Sequence, residues 1–220
     1  MERSAAYEAF TNNRADVDRL MQLHRDISGS APGRKYGVAV LNKSAVVLLC
    51  AAWEAYCEDI VSEVVQHYVD HAPDANALPA TLRKQIAAEL HADKMKMWTL
   101  ADGGWRAVLG SRLTQLKIER DRKLNTPKTS QIKALFADHA GYPDITTQWH
   151  WQSRTVESAC DELDAFVTLR GAIAHRVEAD SAVRKTAVTR YTRFIGRLVQ
   201  CIDSAMVTHA HGVTDHRLGT

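Results

Sequence analysis

The chain lacks the residue patterns of several common protein classes. Its four cysteines form no Cys-x-x-Cys pair and lie in apolar helical surroundings, which indicates buried thiols rather than disulfides or zinc ligands. No HExxH pair, glycine-rich phosphate loop or GxSxG sequence is present, so we expect no metal ion and no cofactor. The longest apolar run covers residues 45–53, about half of a membrane span, and no secretory signal is visible. We therefore expect a soluble, cytoplasmic protein without a membrane partner.

Proline and glycine are also scarce, with 5 and 11 residues among 220, so few positions break a helix. Apolar residues recur at three- and four-residue spacing, and no strand pattern competes with them. The spacing predicts an all-α fold with helices over 3–27, 38–71, 79–91, 106–124, 153–175 and 181–208, and one further helix inside the segment 125–142, between a prolyl start and a glycine stop. We expect one domain over 1–208, in which 72–150 is a helical insertion or a subdomain, and a flexible tail over 209–220.

The chain has no strong excess of charge of either sign, because its net charge is only +2. A nucleic-acid partner would therefore need a local basic surface. Arg190, Arg193 and Arg197 form such a stripe on the last predicted helix, and Arg184 precedes it. A solvated helix face is the ordinary interpretation of this stripe, and contact with RNA phosphates is the alternative.

Two tryptophans flank His150 in the connector that precedes the sixth predicted helix. Trp149 and Trp151 have the flat aromatic rings on which unpaired bases stack. Packing of the connector onto the core is the competing interpretation, and the sequence does not separate the two.

The stretch LRGAIAH, residues 169–175, places an arginine inside an apolar run. Arg170 continues the stripe of Leu163 and Val167, so its guanidinium should lie toward the core. A buried guanidinium cannot lose its charge and needs an anion, either a carboxylate or a substrate phosphate.

His175 lies five residues after Arg170, about 140° further around an ideal helix, so the two side chains flank a face. They converge only if the helix loosens near Gly171 or if two copies of the helix meet. A glycine inside a helix costs about 1 kcal/mol relative to alanine, which indicates close approach of another backbone or a ligand. An ordinary salt bridge and a helix cap remain the structural alternatives.

Glu54 is the candidate partner of Arg170, because it lies in an otherwise apolar helix where a free carboxylate is unfavourable. In this interpretation Glu54 orients the guanidinium. Exposure to solvent, or capping of a neighbouring helix, is the alternative.

Three stretches, in order, resemble the HEPN superfamily and most of all its RiboL-PSP-HEPN group. The first is LNKSAVVLLCAAWEAYCEDIVSE, 41–63, which carries W-E-x-Y-x-E-D, the second is NTPKTSQIKALFADHAGYPDIT, 125–146, and the third is LRGAIAH, which matches the R-x4-H motif of the group.

This resemblance implies an all-α HEPN-like bundle, with the helical insertion between the long core helix and the motif helix. It also implies a homodimer whose two R-x4-H motifs line one cleft. Many members are metal-independent endoribonucleases of toxin–antitoxin and phage-defence systems, some with a partner protein such as an antitoxin. Others are inactive and bind RNA or protein. The residue after the arginine is often polar in the superfamily, and here it is Gly171, so both functions stay open.

The residues suit RNA cleavage without a metal. An imidazole has a pKa of about 6.5 and transfers protons near neutral pH, while the planar guanidinium binds a phosphate and stays charged. We expect His175 to activate the 2′-OH and Arg170 to bind the developing phosphorane, giving a 2′,3′-cyclic phosphate. Gly171 and the arginines at 184, 190, 193 and 197 are the candidate substrate-binding residues.

Overall fold

A computed structural model describes residues 3–28, 37–91, 95–122, 127–175 and 183–219. Within these ranges the chain forms seven α-helices: α1 Ala5–Ser28, α2 Ala39–His71, α3 Ala80–His91, α4 Trp105–Arg122, α5 Thr129–Leu135, α6 Val156–His175 and α7 Lys185–Thr214. The only β-type pairing among the described residues is an isolated bridge between Trp151 and Arg154. The prediction of an all-α fold is confirmed.

The long helix α2 forms the centre of the core. Its middle section is apolar on most of its circumference, so neighbouring helices cover several of its faces. Leu49, Trp53 and Ile60 are completely buried there. The indole N–H of Trp53 donates a hydrogen bond to the carbonyl of Pro127 at 3.3 Å, which satisfies the polar atom of this large side chain.

Two long helices flank α2. Helix α1 runs antiparallel to it, since Glu63 accepts hydrogen bonds from the first backbone N–H groups of α1, and Phe10 meets Tyr56 edge-on at 5.8 Å. Helix α7 runs parallel to it, and the Tyr56 hydroxyl donates to the carbonyl of Val199 at 3.2 Å. These contacts align α1, α2 and α7 along most of their length.

The segment between α2 and α6 contributes to the same hydrophobic core. Leu82 and Leu109 are completely buried in it, and Arg106 donates hydrogen bonds to the last carbonyls of α2 at Val69 and Ala72. Residues 92–105, expected to be irregular, include a 3-10 helix at Lys96–Gly103.

The helix predicted inside the segment 125–142 is present, and it changes type along its length. It consists of α5 and a π-helical turn over Phe136–Ala140, and Gly141 ends it with a φ of 71°. A Cβ at Gly141 would stand 2.6 Å from the Cβ of Pro79, so the glycine is needed both for its backbone angle and for its close contact.

The C-terminal helix is longer than expected. Residues 209–214, predicted to be part of a flexible tail, form the last turns of α7, and Leu218 is buried. The polar composition of this segment led to the prediction of a flexible tail, but its polar side chains have partners on α2. The Nε2 atom of His67, for example, lies 2.9 Å from the Thr214 hydroxyl. None of the helices in the described ranges has the length and apolar character of a membrane span.

Candidate functional site

The stretch LRGAIAH lies at the end of α6, and its backbone is helical throughout. Helix α6 continues through Gly171 to His175, so the structure does not show the loosening near Gly171 that would bring the two motif side chains together. The backbone of His175 ends the helix, while its side chain lies outside the described part of the structure. The backbone positions of Arg170 and His175 are about 140° apart around the axis of this helix.

Arg170 lies at the boundary between the core and solvent, as its stripe predicts. Leu163 and Val167, on the same stripe, are completely buried, whereas Arg170 is half-buried. The guanidinium is close enough to Cys50 of α2 to act on its thiol electrostatically, and so is the carboxylate of Glu54. The structure therefore brings Arg170 and Glu54 into one neighbourhood around Cys50.

The pKa of the Cys50 thiol depends on burial and on these two charged side chains. Burial raises the pKa of Cys50 to about 12, while Arg170 lowers it and Glu54 raises it. Burial dominates because a thiolate loses its hydration inside the α2–α6 interface. Cys50 is therefore a protonated thiol at neutral pH and not a nucleophile.

Glu54 follows Cys50 by one helical turn. Its side chain is half-buried and lines a cavity of about 290 Å³ between α2 and α5. Pro127, Asp138 and His139 line the opposite side of this cavity. Glu54 thus has access both to the neighbourhood of Cys50 and to a solvent-filled space, and its direct pairing with Arg170 stays a prediction.

Gly171 is open on its outer side. A Cβ built on this residue would meet no atom within 4 Å, so no other part of the described chain requires a glycine there. Within the described ranges, the expected close approach of another backbone is not found. The remaining interpretations are approach of a second copy or of a ligand.

A second feature lies on the other side of α6, between α6 and α7. It is a groove of about 690 Å³, which we call the basic groove. Five cationic side chains line it: Arg154, Lys185, Arg190, Arg193 and Arg197. Three of the predicted substrate-binding arginines therefore meet in one concave surface, while Arg184 is exposed at the residue that precedes α7.

Trp151 forms part of the floor of the basic groove. Its turn is closed by two hydrogen bonds, from the Trp151 N–H to the Arg154 carbonyl at 3.1 Å and from the Arg154 N–H to the Trp151 carbonyl at 2.8 Å. The guanidinium carbons of Arg154 and Arg197 each lie 5.9 Å from the centre of its ring. By contrast, Trp149 is completely buried and packs against Trp53, so a role for Trp149 in base stacking is excluded.

Glu162 of α6 is the anion of the basic groove. Its carboxylate lies 2.5 Å from the Nη1 of Arg154 and 3.3 Å from the Nε of Arg190. Sequence reasoning missed Glu162 and Arg154, because the two residues belong to different elements from the arginine stripe of α7. Only a cross-helix pairing, which spacing along one helix does not reveal, connects them.

The basic groove and the motif point in different directions from α6. Glu162 lies about 140° from His175 around the helix, and about 12 Å along the axis from Arg170.

Within the described ranges, no cluster of three or more histidine, cysteine or acidic side chains has the arrangement of a metal site. His67 and His71 lie one turn apart, and their rings pack at 4.6 Å. His216 stacks on His71 at 4.8 Å, so these histidines hold the C-terminal segment onto α2.

Comparison with known proteins places the chain in a family. The chain matches the RiboL-PSP-HEPN family over residues 8–208, which includes α2, α6 and most of α7. No curated protein and no solved structure gives a significant match. The matched range contains both residues of the R-x4-H motif and the whole basic groove. The chain belongs to the RiboL-PSP-HEPN family of the HEPN superfamily, whose domains are often ribonucleases.

Proposed function

We propose that this protein is a metal-independent endoribonuclease and acts as a toxin or phage-defence effector. Arg170 and His175 are the catalytic residues, and Glu54 positions Arg170. The observation that carries this proposal is the half-buried guanidinium of Arg170, held beside Cys50 and Glu54 on a helix that ends at His175. Family membership supports the same reaction class.

The reaction follows from the two side chains. A neutral His175 imidazole accepts the proton of a ribose 2′-OH, and the 2′-oxygen attacks the adjacent phosphorus. The developing dianionic phosphorane is bound by the Arg170 guanidinium through two parallel hydrogen bonds. The bond to the 5′-oxygen breaks, and that oxygen receives a proton from a protonated imidazole. The products are a 2′,3′-cyclic phosphate and a 5′-hydroxyl.

A homodimer supplies the second imidazole. Because Arg170 and His175 of one helix diverge by about 140°, one copy does not surround a phosphate with both groups. An exposed apolar stripe on α2 supports a second copy: Val40 is 61% exposed and Leu48 is 41% exposed. Around α2, Val40 lies about 40° from Glu54 and Leu48 about 120° from it, so Val40 forms the edge of the stripe nearer to Glu54.

The RNA contacts extend beyond the reacting phosphate. Gly171 leaves room for the strand at the motif, and Arg184 is exposed at the residue that precedes α7. Arg193 and Arg197 of the basic groove bind phosphates further from the cut, and Arg190, which also pairs with Glu162, lies beside the strand. Each is exposed enough to reach a ligand.

The test is cleavage of total RNA in EDTA by the parent protein, by three single variants of the motif and by one control variant. We expect His175→Ala to lower the rate by about a hundredfold to ten-thousandfold, the usual contribution of a general acid or base. Arg170→Lys keeps the charge but loses the two-pronged geometry, so we expect it to be nearly as inactive as Arg170→Ala. Arg19→Gln, on the exposed face of α1, is the matched control and keeps full activity. Activity that survives in His175→Ala, or that disappears in EDTA, contradicts the proposal.

The dimer has its own test. Leu48→Glu places a charge on the apolar stripe of α2, and we expect it to give a monomer by light scattering and to abolish cleavage. Ile118→Glu, on the exposed side of α4, is the matched control and keeps both the dimer and the activity. A parent protein that is a monomer and still cleaves RNA refutes the composite site.

A second candidate function is an inactive HEPN module that binds RNA or a partner protein, such as an antitoxin or another defence component. The observation that favours it is the direction of the basic groove, which opens on the side of α6 away from the stripe of His175. Gly171, where the superfamily often has a polar residue, also favours this second function. RNA binding without any cleavage in EDTA or in magnesium would select this function.

A further inference from the structure

The basic groove continues along α7 into a second concavity. This second concavity has a volume of about 620 Å³ and shares Arg197 with the basic groove. Together they line α7 from Lys185 to His209, about 36 Å along the helix axis. We call the combined surface the α7 trough.

The two ends of the α7 trough have different side chains around an aromatic ring. At the basic end, Trp151 lies between the guanidiniums of Arg154 and Arg197, and Phe194 is 6.3 Å from its ring. At the other end, the ring of Tyr142 meets His209 edge-on at 5.0 Å. Trp151, Tyr142 and His209 are half-buried, so they keep part of their surface available to a ligand, whereas Phe194 is buried in the core.

The charges of the α7 trough are not balanced within the protein. Glu162 holds Arg154 tightly and Arg190 more loosely, and it is the only acidic side chain that lines the two concavities among the described residues. Lys185, Arg193 and Arg197 form no ion pair in the described part of the chain, and Arg193 is exposed. The α7 trough therefore has an excess of positive charge, which excludes an identical copy of the same face as its partner because the charges would repel.

A positively charged groove with aromatic rings at intervals is the arrangement that binds single-stranded nucleic acid. The guanidiniums bind successive phosphates, and a base stacks on an aromatic ring. A duplex fits poorly, since its bases are already stacked and do not reach Trp151. The length of the α7 trough suits several nucleotides rather than one.

We propose that the α7 trough binds single-stranded RNA outside the R-x4-H motif, with a base stacked on Trp151 and phosphates held by Lys185, Arg193 and Arg197. This proposal rests on the proposed function and extends it, since it assigns a binding surface to the part of the RNA that lies away from the cut. Binding in the α7 trough does not depend on cleavage, because Glu162 and His175 lie on different sides of α6.

The experiment measures binding of a fluorescent oligouridine of about 12 nucleotides by anisotropy. The protein carries Arg170→Ala and His175→Ala, so that the RNA stays intact. In this background we expect Trp151→Leu to raise the Kd by about fivefold to a hundredfold, the range for loss of one stacked base. Trp98→Leu is the matched control, because Trp98 is 76% exposed on the 3-10 helix Lys96–Gly103, and it leaves the Kd unchanged.

The charges are tested by the dependence of binding on salt. Three phosphate contacts predict that log K falls with log salt with a slope of about −2. In Arg193→Gln/Arg197→Gln the slope becomes shallower by about 1.4, since two contacts are lost. Arg19→Gln/Arg83→Gln removes the same charge from α1 and α3 and keeps the slope. Both arginines of the test pair are exposed, so this variant checks the proposal even where Trp151→Leu impairs folding.

Several outcomes overturn the proposal: an unchanged Kd and slope in the variants of the α7 trough, competition by duplex RNA equal to that by the single strand, or equal competition by uridine monophosphate. The result is separable from the proposed function. Cleavage by the parent protein with normal binding in these variants refutes the α7 trough alone. Loss of binding in these variants, with no cleavage by the parent, refutes the ribonuclease alone.

Discussion

Gly171→Ala separates stability from function at the motif. Gly171 lies inside α6, where glycine is less favourable than alanine by about 0.5–1 kcal/mol. A Cβ at this position would meet no atom within 4 Å, so no steric cost offsets the gain in helix stability. For a chain of this size, such a gain raises the Tm by about 1–4 °C.

The same methyl group projects beside the stripe of His175, where we propose that RNA approaches. We therefore expect Gly171→Ala to be more stable than the parent and slower in RNA cleavage. Gly110→Ala is the matched control, because Gly110 lies inside α4 and its Cβ also meets nothing within 4 Å. This control gains stability and keeps its activity.

The two variants are compared by thermal unfolding and by the initial rate of RNA cleavage in EDTA. Equal cleavage by both variants would show that no ligand approaches Gly171, which would remove this residue from the site. A lower Tm for Gly171→Ala than for the parent would show that the outer face of α6 is not open.

Three further predictions concern stability and reactivity. Burial lowers the pKa of His67 and His209 below 6.5, so the unfolded chain binds more protons than the folded chain. The contribution of these neutral histidines to the free energy of unfolding is complete above pH 6.5 and decreases as the pH falls below that value. Urea titrations at a series of pH values would show this decrease, and it should be less steep for His209→Phe. Cys50 resists alkylation by N-ethylmaleimide in the native protein, because its thiol is buried and protonated, and rapid labelling detected by mass spectrometry would contradict this. Gly141→Ala destabilises the fold by about 2 kcal/mol or more in urea unfolding, since its Cβ collides with Pro79 and its φ is 71°; an unchanged unfolding midpoint would contradict that clash.

The sequence predicts the helices well where one face repeats without interruption. Helix α2 begins and ends within a residue of its predicted bounds, because its apolar periodicity is continuous over 38–71. The predicted end of the last helix was wrong because polar groups near it have partners on α2: Thr214 contacts His67, 147 residues earlier in the chain. When such distant partners are unknown, the polar composition of this segment predicts a frayed tail.

The sequence likewise predicts some residues of the candidate site and misses others. Tracing one helix face predicts that the Arg170 guanidinium lies toward the core; in the structure the side chain is half-buried, in the neighbourhood of Cys50. The same reasoning predicts the arginine stripe of α7. It does not predict Glu162 or Arg154, because these come from other elements and meet the stripe only after α6 packs on α7.

Cleavage of one defined RNA oligonucleotide in EDTA tests the central claim most directly. The cut site of the parent protein is mapped first, and the same oligonucleotide is then made with a single 2′-deoxy nucleotide on the 5′ side of that bond. If a 2′-oxygen activated by His175 is the nucleophile, the account predicts a 2′,3′-cyclic phosphate from the normal RNA and no cut at the substituted position. Continued cleavage at the 2′-deoxy position, or products that appear only when magnesium is added, would contradict it.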